Sequence, residues 1–148
     1  MLPKNYNILL ADDDEDDRFF FKDALDELLV STSLKTVSNG VELMNFLKNN
    51  PSNLPTILFL DLNMPRKTGL DCLLEIRRDD KLTDILIIVF STSYNLKVVD
   101  LLYANGAYHY IRKPAGFSNL KSVIQKALLM CKINNNFQPS KEKFVIIP

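Results

Sequence analysis

The sequence predicts an α/β fold: an open, doubly wound parallel sheet of five strands in the order 2-1-3-4-5, with helices on both faces. Two observations carry this. The first is Ile57-Leu58-Phe59-Leu60-Asp61-Leu62-Asn63-Met64-Pro65, an apolar run without alternation that stops at a carboxylate and turns at a proline. Bracketed by Pro55 before it and by Pro65 and Gly69 after it, so short a run reads as a strand buried on both faces, which implies a parallel sheet. The second is a β-α unit repeated five times along the chain, for which a doubly wound sheet is the economical arrangement.

The elements follow in order. Tyr6 to Ala11 (YNILLA) is a short apolar run that ends in six acids, Asp12-Asp13-Asp14-Glu15-Asp16-Asp17. Carboxylates in the first turn of a helix complement its macrodipole and cap free N–H groups, and Asp16 and Asp17 are assigned that role alone. Asp12 and Asp13 differ, because adjacent carboxylates at a strand end repel each other and lose solvation unless a cation is present. A hard divalent metal is the natural reason for them. A helix over Asp16–Leu29 carries Phe20, Ala24 and Leu28 inward with Phe21 and Leu25 beside them, leaving Phe19 off the stripe.

Leu34–Val37 reads as a second strand and Gly40–Asn49 as a helix with Val41, Met44 and Leu47 inward, ended by Pro51-Ser52-Asn53. After the central strand, Thr68 caps a helix running to Arg78 with Leu70, Leu73, Leu74 and Ile76. Ile85–Phe90 is the fourth strand and stops at Ser91-Thr92-Ser93. Leu96–Ala104 is apolar round more of its circumference than one core face requires, so it is either deeply packed or a partner surface. Gly106 closes it. Tyr108–Ile111 is the fifth strand, ending at Arg112-Lys113-Pro114. The last helix places Leu120, Val123, Ile124, Ala127, Leu128 and Cys131 at helical spacing until Asn134-Asn135-Asn136 breaks it. The apolar end Lys143–Pro148 is too short for a domain; it adds a strand, covers a helix or contacts a second chain.

Size and charge exclude several classes. With 148 residues the chain fits one domain, and 18 basic against 18 acidic residues leave no global field to recruit nucleic acid or anionic lipid. No apolar stretch approaches the roughly 20 residues of a membrane span, and MLPKNYN lacks a signal-peptide core, so a cytoplasmic location is expected. Cys72 and Cys131 stand alone in amphipathic helices and read as reduced, packed thiols. His109, the one histidine, reads as a neutral surface residue, and Tyr94, Tyr103, Tyr108 and His109 as an aromatic face.

In such sheets ligands sit beyond the carboxyl ends of the strands. In this flavodoxin-like order, Asp12 and Asp13 follow strand 1, Asp61 strand 3, Ser91 strand 4 and Lys113 strand 5. Together they supply a nucleophile, a metal site, a hydroxyl and an ammonium. Asp61 alone could equally cap the following turn.

The motifs ILLADDD, ILFLDLNMP, IIVFSTS and YIRKP, in this order and on these elements, resemble the response-regulator receiver domain of two-component signalling. The resemblance covers residues 5–132 and leaves 133–148 as a C-terminal extension without an output domain. It implies that Asp61 is the phosphoacceptor, that Asp12 and Asp13 bind Mg²⁺ with Asp61 and the Asn63 backbone carbonyl, and that Ser91 and Lys113 contact the phosphoryl group. Ser91 and Tyr110 become the switch pair, and Lys113–Pro114 a candidate cis peptide. Implied partners are a sensor histidine kinase or phosphotransfer protein and an unknown downstream protein, with a homodimer through Phe144–Ile147 also expected. The chain is then a signalling switch that assists its own phosphorylation and dephosphorylation, not an enzyme with a turnover substrate. NMPRK, STS, the spacing of Tyr103, Gly106 and Ala107, and the extension are similar to single-domain regulators paired with phytochrome-type kinases.

Two other readings compete. A Mg²⁺-dependent phosphohydrolase with an aspartyl nucleophile is expected to carry a second acid two residues on, where Asn63 stands. A pseudo-receiver scaffold has no need of the full set Asp12, Asp13, Asp61, Ser91 and Lys113.

Overall fold

The computed structural model describes residues 6–30, 32–133 and 138–148. Six parallel strands, β1 (Tyr6–Ala11), β2 (Thr32–Val37), β3 (Ile57–Leu60), β4 (Leu86–Ser91), β5 (His109–Arg112) and β6 (Val145–Ile146), form one sheet in the order β2-β1-β3-β4-β5-β6. The expected 2-1-3-4-5 order is present and gains a sixth strand at its edge. The helices are α1 (Glu15–Glu27), α2 (Gly40–Asn49), α3 (Gly69–Arg78), α4 (Leu96–Ala104) and α5 (Phe117–Ile133).

Because side chains alternate across a strand, each central strand supplies two cores. Leu9, Leu58, Leu60, Ile87, Val89 and Tyr110 face one cluster, closed by Leu43 and Leu47 of α2, Leu73 and Ile76 of α3, and Val99 and Leu102 of α4. Ile8, Leu10, Phe59, Ile88, Phe90 and Ile111 face the other, closed by Phe21 and Leu25 of α1 and Val123, Ile124 and Leu128 of α5. The rings of Phe21, Phe59 and Phe90 meet edge-on, with centroids 4.9 Å apart for Phe21–Phe59 and 5.7 Å for Phe21–Phe90. This is the geometry that the aromatic quadrupole favours.

Several details differ from the sequence reading. In α1 the buried stripe is Phe21, Ala24 and Leu25, while Phe20 is half exposed. The helix begins at Glu15, one residue earlier than expected, with Asp14 as its cap. Leu43, not Val41, joins Met44 and Leu47 inside α2. No cis peptide occurs among the described residues, so the Lys113–Pro114 bond is trans, as the ordinary preference of X–Pro bonds favours. The expected break at Asn134–Asn136 lies outside the described residues.

The largest difference is at the β5 edge. His109 is fully buried, not a surface residue, and Tyr108 is buried with it. The cause is the C-terminal segment. A 3-10 turn at Lys141–Lys143 leads into β6, which pairs with Tyr110 and Ile111 of β5. The imidazole Nδ1 of His109 lies 2.9 Å from the Phe144 carbonyl, and burial pushes its pKa down, so the ring is neutral and donates that proton. Phe144 packs its ring against Tyr103 with centroids 5.1 Å apart, and the Tyr103 hydroxyl donates to the Pro139 carbonyl at 2.8 Å. The segment thus both adds a strand and covers part of α4. The aromatic face shrinks to Tyr94, with Leu96, Val98 and Leu101 of α4 still exposed.

Phe144 is 1% exposed, so Phe144→Ala is expected to destabilise the fold by about 3 kcal/mol, the cost of emptying a phenylalanine site in a core. Urea denaturation checks this, and a loss below about 1 kcal/mol would mean that the segment is not part of the cooperative unit.

Candidate functional site

Each marked residue sits one step past, or at, the end of its strand and remains tied to the ladder. The Asp12 amide donates to the Val37 carbonyl at 3.1 Å, Asp61 to Ala11 at 2.9 Å and Lys113 to Ser91 at 2.8 Å. Hydrogen bonding beyond the last paired residues fixes where these side chains leave the sheet, so neighbouring strands deliver them to one edge. On the far side of β3 the start of α3 closes in, and a Cβ on Gly69 would collide with the Asp61 carbonyl. Only glycine permits that approach. The Gly69 amide also donates to Leu62 at 2.9 Å, which anchors the loop that carries Asn63.

The carboxylates of Asp12, Asp13 and Asp61 each offer an oxygen within 4.8 Å of the others. Asp12 and Asp61 are buried and Asp13 is exposed. The Asp14 amide donates to Asp12 Oδ1 at 3.0 Å, and Arg18 Nη1 donates to the Asp12 carbonyl at 2.7 Å. Asn63 lies exposed on the loop, and its backbone amide donates to the Asp61 carboxylate.

Among the described residues, Lys113 is the cation that forms ion pairs with the Asp12 and Asp61 carboxylates. Its Nζ lies 2.7 Å from Asp12 Oδ2, 2.8 Å from Asp17 Oδ2 and 3.4 Å from Asp61 Oδ2. It also stands 5.5 Å from the centroid of the Phe90 ring. Burial opposes the ammonium, but the close contacts with Asp12 and Asp17 and the Asp61 charge outweigh it and hold its pKa above the usual lysine range. Asp17 was assigned only to the helix terminus, and its pairing with Lys113 corrects that. A sign was present in the sequence: Asp17 lies five positions after Asp12, close enough on the first turn of α1 to face back over the strand end.

Burial pushes the Asp61 carboxyl up to about 6, with Lys113 opposing and Asp12 reinforcing the shift. Burial also raises Asp12, against the pull of Lys113 and of the Asp14 amide. Three converging carboxylates around one shared ammonium leave an excess of negative charge in a largely dry site. Such an all-oxygen donor set suits a hard divalent cation, which relieves the repulsion that Lys113 only partly offsets.

Ser91 and Tyr110 are both fully buried. The Ser91 hydroxyl is engaged with the Ser93 hydroxyl at 3.1 Å, and the Tyr110 hydroxyl donates to the Ser93 carbonyl. Tyr110 stacks edge-on against Tyr94, whose ring in turn lies 5.9 Å from the Arg112 guanidinium. A continuous chain of contacts therefore runs from Ser91 to the exposed surface.

Comparison with known proteins gives consistent matches. A family model described as the response regulator receiver domain matches residues 8–125. The probable C4-dicarboxylate response regulator DctR of Bacillus subtilis (strain 168) is 29% identical over 126 residues, covering 85% of this chain and 54% of its own length. The chain thus spans about half of that relative. Among solved structures, the phosphorylated cyanobacterial phytochrome response regulator RcpA aligns with a TM-score of 0.80 at 29% identity, over 88% of this chain and 96% of that one. The Mn(2+)-bound form of response regulator Rcp1 aligns with a TM-score of 0.70 at 25% identity, over 97% and 99% of the two chains.

The raised Asp61 pKa gives a signed prediction for the metal-free protein. The folded state holds the Asp61 proton more tightly than the unfolded state, whose carboxyl titrates near 3.8, so stability falls as pH rises from about 4 through about 6 and then levels off. Asp61→Asn is expected to stabilise the metal-free fold by about 1–2 kcal/mol at neutral pH, with the gain vanishing near pH 4. Thermal denaturation in EDTA at both pH values measures it. An Asn variant less stable than the wild type at neutral pH would contradict the charge strain.

Proposed function

The chain belongs to the response regulator receiver domain family, and on that premise we propose that Asp61 is the phosphoacceptor of a signalling switch, with Lys113, Asp12 and Asp13 as its machinery. The observation that carries the reading is the convergence of the three carboxylates within 4.8 Å, with the Lys113 ammonium against Asp12 and Asp61. Phosphoryl transfer demands little covalent chemistry from the protein beyond a placed nucleophile and neutralisation of the transferring oxygens. Asp61 supplies the nucleophile. Lys113 supplies one positive charge, and a divalent cation supplies the rest.

Mg²⁺ is the cation the donor set best suits, because every group offered is an oxygen and the exposed side of Asp13 leaves room for retained water. Asp13, Asp61 and the Asn63 carbonyl would hold it directly, and Asp12, whose Oδ1 accepts from the Asp14 amide and whose Oδ2 is paired with Lys113, would act on it through water. When bound, the ion would supply positive charge against the carboxylates and the phosphoryl oxygens.

On phosphorylation Ser91 gains a better partner than Ser93. Its hydroxyl turns to the phosphoryl oxygens, and the loss of the Ser91–Ser93 contact loosens the segment that also accepts from Tyr110. Tyr110 already lies inward, so the shift passes through Ser93 and Tyr94 to the surface of α4 and β5. That surface differs between the two states, which is what a partner needs in order to distinguish them. The phosphodonor is a sensor histidine kinase or phosphotransfer protein acting in the cytoplasm, and the downstream target is a protein, not nucleic acid. The likeness to RcpA, a phytochrome response regulator, supports a phytochrome-type kinase as the donor. No described helix is long and apolar enough to cross a membrane. Residues 133–148 act as an extension of the receiver; of the segment Phe144–Ile147 expected to pair with a second copy, Phe144 and Ile146 are buried within the fold, which leaves Ile147 exposed for that contact.

Intact-mass analysis after incubation with acetyl phosphate and Mg²⁺ tests the proposal. A single phosphoryl adduct is expected on the wild type, with none on Asp61→Asn and none in EDTA. An adduct that persists on Asp61→Asn would move the acceptor elsewhere.

A further inference from the structure

We propose that Asp17 is a positioning residue for phosphoryl transfer, a carboxylate that holds the Lys113 ammonium in a resting place from which the transferring phosphoryl group must draw it. The inference rests on the phosphoacceptor reading of Asp61. The ammonium is hydrogen-bonded to Asp17 at 2.8 Å and to Asp61, the reacting group, at a longer 3.4 Å, and it forms an ion pair with Asp12 at 2.7 Å. A phosphoryl oxygen that draws the ammonium has to compete with these carboxylates.

Asp17 is the partner that yields. Asp12 is fully buried, so releasing its charge from the ammonium would strand it in the core. The Asp17 side chain is 36% exposed and can pass to water at small cost. Its role is separable from the helix terminus, because its backbone amide, not its carboxylate, completes the Asp14 cap. Asp16 offers an internal contrast. It carries the same charge on the same turn, yet it enters no ion pair among the described residues. The Asp17–Lys113 pair also borders a cavity of about 260 Å³ lined by Phe20, Phe90, Phe117 and Leu120.

In transfer from acetyl phosphate, the bond from phosphorus to the bridging acyl oxygen breaks and its electron pair leaves with acetate. A lone pair of the Asp61 carboxylate forms the new phosphorus–oxygen bond, and no proton or redox partner is consumed. Charge spread over the three nonbridging oxygens in the transition state is what the ammonium stabilises. Asp17 competes for that ammonium and so slows the transfer.

The test measures the rate constant of phosphorylation by acetyl phosphate with Mg²⁺ for the wild type, Asp17→Asn, Asp17→Glu and Asp16→Asn, and for Asp17→Asn in a Lys113→Ala background. Asp17→Asn is expected to raise the rate constant roughly three- to fivefold. Asp16→Asn is expected to change it by less than about twofold, and Asp17→Glu to stay within about twofold of the wild type. With Lys113 replaced, Asp17→Asn is expected to have no effect, since the cycle isolates their coupling. Equal acceleration by both Asn variants would assign the effect to general repulsion of the anionic donor, and an unchanged or slower Asp17→Asn would remove the competition; either overturns the assignment while the phosphoacceptor reading stands. A folded wild type that takes no adduct overturns both.

Discussion

One buried ammonium holds the functional end of this molecule together. Lys113 sits within 3.4 Å of carboxylates from the ends of β1 and β3 and from the first turn of α1. Without it, Asp12 and Asp61 would be adjacent buried charges with no counterion, an arrangement a core does not tolerate. With it, the site is still over-supplied with negative charge, and Asp61 keeps a proton up to about pH 6. The resting state is therefore incomplete by design of its charges. Its oxygen donors suit a divalent cation, which would relieve that excess.

That arrangement depends on a sheet that does not move. The backbone bonds from Asp12, Asp61 and Lys113 to neighbouring strand ends place three side chains from distant parts of the chain at one edge. The two clusters that enclose β1, β3 and β4 leave those strands no freedom to shift register, because a one-residue slip would exchange their faces. The loops beyond the strands have more latitude. Ser91, Ser93, Tyr94 and Tyr110 form a chain of hydroxyl, carbonyl and ring contacts that can rearrange while the cores stay packed. Rigid strands fix the positions of the site residues, and the loop is the part free to rearrange.

The C-terminal segment alters the far side of that chain of contacts. By pairing with β5 and burying Phe144 against Tyr103, it covers a sheet edge that would otherwise offer unpaired amides and carbonyls. It also bonds directly to β5 at the tyrosine of that chain of contacts, since the Tyr110 amide donates to the Phe144 carbonyl at 3.0 Å. The surface that remains for a partner is narrower than five strands alone would present. It centres on Tyr94 and the exposed apolar residues of α4.

The sequence by itself determined the five βα units and marked Asp12, Asp13, Asp61, Ser91 and Lys113 at or just past strand ends, because each rests on a local signal: an unalternating apolar run, a cap, or a polar residue at the point where a run stops. Those signals need no knowledge of what lies across the sheet. Tertiary structure alone decided the burial of His109, the inward phase of Phe21 over Phe20 and the pairing of Asp17 with Lys113. His109 lies beneath a strand that arrives about 35 residues later in the chain, and Asp17 meets a lysine 96 positions away. A histidine in a strand and an acid on a first helical turn have ordinary local explanations, and only the contact with a distant element shows which one applies. Hydrophobic periodicity is read along the chain, whereas a charge finds its counterion across it.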